Sequence, residues 1–175
     1  MTAVEAYELT TLGGATDFTR LILACESFGP YCLIGGLAVN CYVEPVYTLD
    51  ADIVVVAANL PYLIGRLGEQ GFQTEVHTHW VNALAAGSRL RIRFTTDERY
   101  QAFPTRSVEA EVLGIRAKVA CLADVTQGKV WAYSDPQRRL SKRKKDELDL
   151  IRLAEAYPDL KSQYPVELRA QLDRG

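Results

Sequence analysis

The chain has 175 residues, an apolar fraction of 48% and a formal net charge of −2. That length suits one domain with its own core, and the charge excludes a protein that holds nucleic acid by overall basicity. No run approaches the ~18 apolar residues of a membrane span, and the N-terminal MTAVEAYELTT carries acids without the basic segment of a signal peptide, so the expected location is the cytoplasm, with no membrane partner.

The first predicted helix carries Phe18, Leu21, Ile22 and Cys25 on one side, with Thr16 or Asp17 as its cap, and Gly29-Pro30 stops it. Tyr31 to Ile34 reads as a short buried strand. Gly36 to Tyr42 reads as a short helix ending near Pro45, and Leu49 to Ala57 as a strand whose continuous Val54–Val56 run marks it as central. A helix over Leu60 to Gln70 is entered through Pro61, and Gly71 leads into a strand over Phe72 to Val76. His77 and His79 share a strand face. They have no cysteine or acid at metal spacing beside them, so a zinc site is not expected.

Ser88 to Phe94 alternates, with Leu90, Ile92 and Phe94 facing one way and Arg89, Arg91 and Arg93 the other, as in a half-exposed strand. Two short strands follow around Gly114, over Ala110–Leu113 and Ile115–Val119. Helices then cover Cys121 to Tyr133 and Leu140 to Ala156, the second packing through Leu148, Ile151, Leu153 and Ala154, and a last short helix follows Pro165. The β-rich middle and helical end predict an α+β fold, with a core over residues 1–120 and a helical lobe over 121–175 packed on it as one unit. Cys25, Cys32, Cys41 and Cys121 show no Cys-x-x-Cys spacing and read as reduced thiols.

The stretch that carries chemistry is YCLIGGLAVNCYVEPVYTLDADIVVV, residues 31–56. An apolar strand ends in Gly35-Gly36, where free N–H groups at a helix start can meet a phosphate. After thirteen intervening residues come Asp50 and Asp52, just after Thr48. Carboxylates at i and i+2 of a strand share a face, and like charges so close call for a cation between them. Mg²⁺ suits the pair, because it binds one or two carboxylates together with substrate phosphates.

This pattern resembles the signature of the nucleotidyltransferase superfamily: an apolar strand, Gly-Gly, then Asp-x-Asp. A second block, GKVWA at 128–132 followed by KRKKDELDLIRL at 142–153, resembles the C-terminal part of the abortive-infection toxin nucleotidyltransferases of the AbiEii/AbiGii type. The two blocks together span residues 31–153. The resemblance implies a nucleotidyltransferase-like fold, a short mixed β-sheet flanked by helices with a C-terminal helical lobe. It implies transfer of a nucleoside monophosphate from an NTP to a hydroxyl of tRNA, another RNA or a protein, with a cognate antitoxin as a further partner. It assigns catalysis to Asp50, Asp52, Lys129 and Asp146, Mg²⁺ to Asp50 and Asp52, and the nucleotide to Gly35, Gly36, Thr48 and Lys145.

One departure stands out. Superfamily members place a third acid on the strand beside the Asp pair, and the polar face of residues 88–94 offers only arginines, with Asp97 and Glu98 just beyond. The alternative expectation is therefore a catalytically inactive nucleotide- or RNA-binding member of the same fold in a two-component system. The basic run RRLSKRKK at 138–145, with six cations and no acid, reads either as a solvated helix start or as a surface for an RNA backbone. Along that helix, Lys142–Asp146 and Lys145–Asp149 are spaced to pair with each other.

Overall fold

A computed structural model describes residues 1–174. Helix α1 (Ala3–Thr11) starts from a reciprocal cap, in which the Thr2 hydroxyl accepts from the Glu5 N–H and the Glu5 carboxylate accepts from the Thr2 N–H. This helix precedes the first one expected from the sequence. It matters for the next one. Helix α2 (Gly14–Ser27) is capped from α1 and not by Thr16 or Asp17. The Thr11 hydroxyl accepts from the Gly14 N–H, and the Glu8 carboxylate from the N–H groups of Ala15 and Thr16. These side chains take the amides that a helix start leaves free.

Seven strands form one mixed sheet in the order β3-β4-β5-β2-β1-β7-β6. They are β1 (Tyr31–Ile34), β2 (Asp50–Val55), β3 (Phe72–Val76), β4 (Trp80–Ala85), β5 (Arg91–Thr95), β6 (Val108–Val112) and β7 (Ile115–Val119). Strand β2 runs antiparallel to β1 and parallel to β5. The central position expected of the valine run is the one it takes. Ala51 and Ile53 pair with Ile92 and Phe94, and this apolar face is buried. It joins Phe18, Leu21 and Ile22 of α2 and Leu63 and Leu67 of α4 (Leu60–Glu69) in one core cluster.

Strand β4 was not expected. Its inward residues are Val81, Ala83 and Ala85, too small to make the alternation stand out. The β5 strand begins at Arg91, three residues later than the alternation implied, because Arg89 N–H already donates to the Thr11 carbonyl. His77 and His79 lie outside a strand, in the turn between β3 and β4, where the His77 ring stacks on Trp80 at 4.9 Å. All four cysteines are free thiols, with Cys25 and Cys32 fully buried.

Helix α3 (Gly35–Val39) is shorter than expected, its last turn giving way to tight bonds such as Cys41 N–H to Ala38 C=O. Helices α5 (Leu122–Ser134) and α6 (Leu140–Ala156) pack on each other and both reach α3. The Tyr42 hydroxyl donates to the Ala120 carbonyl and the Tyr157 hydroxyl to the Tyr42 carbonyl, pinning the segment after α3 between the sheet and the end of α6. In α6 the core residues are Leu150, Leu153 and Ala154; Leu148, expected to pack, is exposed. A final helix, α7 (Val166–Leu172), buries Leu168. Among the described residues no helix is long and apolar enough to cross a membrane.

Candidate active site

The polar face of β2 and β5 forms the floor of a cleft of about 910 Å³ whose other wall is the start of α6. Register places Asp50 opposite Arg91 and Asp52 opposite Arg93. The neighbouring strand is thus the one the sequence indicated, and arginines stand on it where a third acid would stand. Asp50 is engaged on both oxygens: Oδ1 lies 2.8 Å from Arg91 Nε and Oδ2 lies 2.7 Å from Lys142 Nζ. Burial pushes its pKa up, but the hydrogen bond and charge of Lys142, with Arg91 and Lys145, outweigh it and hold the carboxyl below its ordinary value.

Asp52 differs. Among the described residues no hydrogen bond or ion pair reaches its carboxylate. Burial, then the charge of Asp50, push its pKa above the ordinary value, with Arg93, Lys129 and Lys142 offsetting only part of this. Gly35 makes room for it. Its φ of +70° belongs to the left-handed region, and a Cβ there would lie 2.4 Å from Asp52 Oδ2. A Cβ on Gly36 would meet Thr48 at an ordinary 3.4 Å, so nothing in the fold demands glycine at 36. Thr48 lies under Gly36; its hydroxyl accepts from the Asp50 N–H and its carbonyl from the Tyr7 hydroxyl.

Lys129 and Asp146, more than 70 and 90 positions along the chain from the Asp pair, line the same cleft. Lys129 is buried, with Nζ 2.9 Å from Asp146 and 2.6 Å from Asp149. Burial lowers its pKa, yet Asp149 and Asp146 together leave it raised. Asp146 is 1% exposed, and its second oxygen accepts from Arg138 at 2.5 Å. Arg152 holds Asp149 at 2.8 Å and reaches the Glu44 carbonyl and Asn40. So Lys129 and Asp146 form the centre of an ion network joining α5, α6 and the segment after α3. Both Asp146 oxygens are already engaged by cations, which suits a holding part. Lys145 lines the cleft and is exposed.

The spaced pairs along α6 do not form: Lys142 goes to Asp50, and Asp146 and Asp149 go to Lys129. Arg138, Lys142 and Arg152 are the site residues that sequence reading assigned elsewhere or omitted. The basic run 138–145 contained the signal for the first two, since four of its cations, Arg138, Arg139, Lys142 and Lys145, line the cleft. A smaller hollow of about 410 Å³ opens on the other side of Asp52, lined by Gly35, Trp80, Arg93, Tyr100, Trp131 and Arg138. Asp97 lies there, turned away to bind Arg99 at 2.7 Å, and is not a third partner of the Asp pair.

The donor set fits Mg²⁺ in one way. Among the described residues no cluster of three or more acid, histidine or cysteine ligands exists. Two carboxylates on one face match an ion shared with phosphate oxygens, and do not match a cage built from protein alone.

No family model matches the sequence, and no curated protein does either. Solved structures do match in shape. The lincomycin-bound lincosamide antibiotic adenylyltransferase LnuA superposes with a TM-score of 0.55 at 16% identity, over 79% of this chain and 94% of that one. ANT(2")-Ia in complex with adenylyl-2"-tobramycin gives 0.55 at 13% identity, over 86% and 98%. An antigenic nucleotidyltransferase-like protein from Paracoccidioides brasiliensis gives 0.50 at 16%, over 89% and 91%. The fold of this chain is therefore a nucleotidyltransferase-like α+β fold, a seven-stranded mixed sheet with flanking helices.

Proposed function

We propose that the chain is a Mg²⁺-dependent nucleotidyltransferase that moves an NMP from an NTP to an acceptor hydroxyl. The observation that carries this reading is the convergence, on one cleft of a nucleotidyltransferase-like fold, of Asp50 and Asp52 with the cations of α6. The triphosphate lies along Gly36, Thr48, Lys142 and Lys145, with the Gly35 turn keeping Asp52 close to the strand end. Mg²⁺ bound by Asp50, Asp52 and phosphate oxygens would supply charge for the transferring group. The acceptor oxygen attacks the α-phosphorus, the bond to the β-phosphate oxygen breaks, pyrophosphate leaves and the hydroxyl proton passes to solvent. Positioning and charge neutralisation do most of the work in such transfers. Arg93, opposite Asp52 and free of any carboxylate bond among the described residues, stands ready for charge on the reacting phosphoryl group.

The cleft's charge supports one acceptor class over another. Its lining holds more cations than carboxylates, which disfavours a cationic acceptor and supports an anionic one. That accords with the tRNA or other RNA acceptor of the toxin-type resemblance, which would also bring a cognate antitoxin as partner. Arginines in place of the third acid favour a second reading, a nucleotide- or RNA-binding relic. The test separates the two. Each α-labelled NTP is incubated with the protein, Mg²⁺, total RNA and a cell extract. Label should enter a macromolecule with release of pyrophosphate, and γ-labelled NTP should leave none there. Tight NTP binding without any transfer would favour the relic.

A further inference from the structure

We infer that Lys142 is a phosphate-binding residue that waits on Asp50 until a triphosphate arrives. This rests on the nucleotidyltransferase reading and adds to it a residue and an order of binding. Lys142 lies in the first turn of α6 and reaches 92 positions back along the chain to Asp50 Oδ2, at 2.7 Å. Arg91 holds the other oxygen at 2.8 Å. A divalent ion binds such oxygens at about 2.0–2.1 Å, so it must compete for Asp50 with both cations and is repelled by their charge while they stay in place. Lys142 has no other partner among the described residues, and the pair is partly exposed, at 30% and 22%. Ion pairs this exposed to solvent are weak and exchange partners readily.

A triphosphate entering beside Gly36 and Thr48 offers Lys142 several oxygens and more negative charge than one carboxylate does. Lys142 then leaves Asp50 for the phosphates, and Asp50 Oδ2 is exposed for the ion that comes with them. Two consequences follow. The phosphate chain binds appreciably without metal, and a divalent ion alone binds poorly. Lys142 thereby keeps the carboxylate pair from holding a metal before the nucleotide is in place.

The test uses two probes on the whole chain: Mn²⁺ alone, followed by its electron paramagnetic resonance signal, and inorganic tripolyphosphate alone, in EDTA, by calorimetry. Lys142→Gln should bind Mn²⁺ at least ~10-fold more tightly and tripolyphosphate at least ~10-fold more weakly than wild type. A lysine that only stabilised α6, away from Asp50 and the phosphates, would not move the two in opposite directions. Lys142→Arg, which keeps the cation, should hold tripolyphosphate within a few-fold of wild type, and Lys144→Gln, whose lysine pairs with Glu147, should change neither. Unchanged or weakened Mn²⁺ binding in Lys142→Gln overturns the proposal, as does unchanged tripolyphosphate binding. Both arms are independent of turnover. If they hold while no NTP gives transfer, the catalytic reading fails and the exchange stands; if transfer is seen while the arms fail, the reverse is true.

Discussion

Two adjacent glycines divide the labour at the residue scale. Gly35 is held at φ +70° against Asp52, so Gly35→Ala should cost about 1–3 kcal/mol through backbone strain alone, read as a lower midpoint in urea. Gly36 has ordinary space for a methyl group. Gly36→Ala should therefore fold normally and weaken NTP binding about 10-fold, or ~1.4 kcal/mol, if phosphate comes as close as we propose. A folded Gly36→Ala with unchanged affinity would remove Gly36 from the nucleotide site. The two aspartates divide as well. Asp52 has a raised folded pKa, so its contribution favours the fold at pH below the unfolded value and is lost as pH rises through the folded one. Asp50 has a lowered pKa, so its contribution is present above the unfolded value and is lost as pH falls through the folded one. Melting curves against pH should thus shift in opposite senses for Asp52→Asn and Asp50→Asn. The Asp50 effect should stay within about 1 kcal/mol, because its cation pairs are partly exposed.

The ion network between α5 and α6 decides what a mutation means at the element scale. Removing one partner of a buried pair typically costs about 3–5 kcal/mol, because the other charge is left uncompensated. Lys129→Ala removes the cation that Asp146 and Asp149 share and leaves them only Arg138 and Arg152, so it should lower thermal stability, and loss of turnover in it should be read only beside its melting curve. Asp146→Asn keeps the shape and an acceptor oxygen. It should fold better than Asp146→Ala, and if Asp146 only holds Lys129 and Arg138, it should also retain more transfer. Much of this arrangement was legible beforehand. Tyr31–Ile34, the β2 strand and the α6 helix were readable from apolar runs and from Gly and Pro at their ends. The Asp pair and the Lys129/Asp146 block were readable from spacing and resemblance. What was hidden depended on contacts distant in sequence. Strand β4 has only small inward residues, and the cap of α2 comes from Glu8 and Thr11 on another helix. Lys142 looked like a partner for Asp146 one turn away, and finds Asp50 across the cleft instead.

The whole molecule sets a site's needs against the fold's stability. Asp52, the third residue of the central strand β2, has a bad charge environment and no hydrogen-bond or ion-pair partner among the described residues, an arrangement that costs stability and makes sense if a cation and a nucleotide complete it. The arginines of β5 leave Asp50 and Asp52 as the carboxylate pair of this face, which on our proposal takes its metal together with phosphate. The most direct measurement is therefore made on Asp52→Asn, comparing its melting temperature with its NMP transfer from α-labelled NTP at neutral pH. The account predicts a protein at least as stable as wild type, with a melting temperature higher by roughly 2–4 °C for each kcal/mol gained, and no detectable transfer where wild type labels its acceptor. An Asp52→Asn protein that transfers as well as wild type, or that loses transfer only because it has lost its fold, would contradict it.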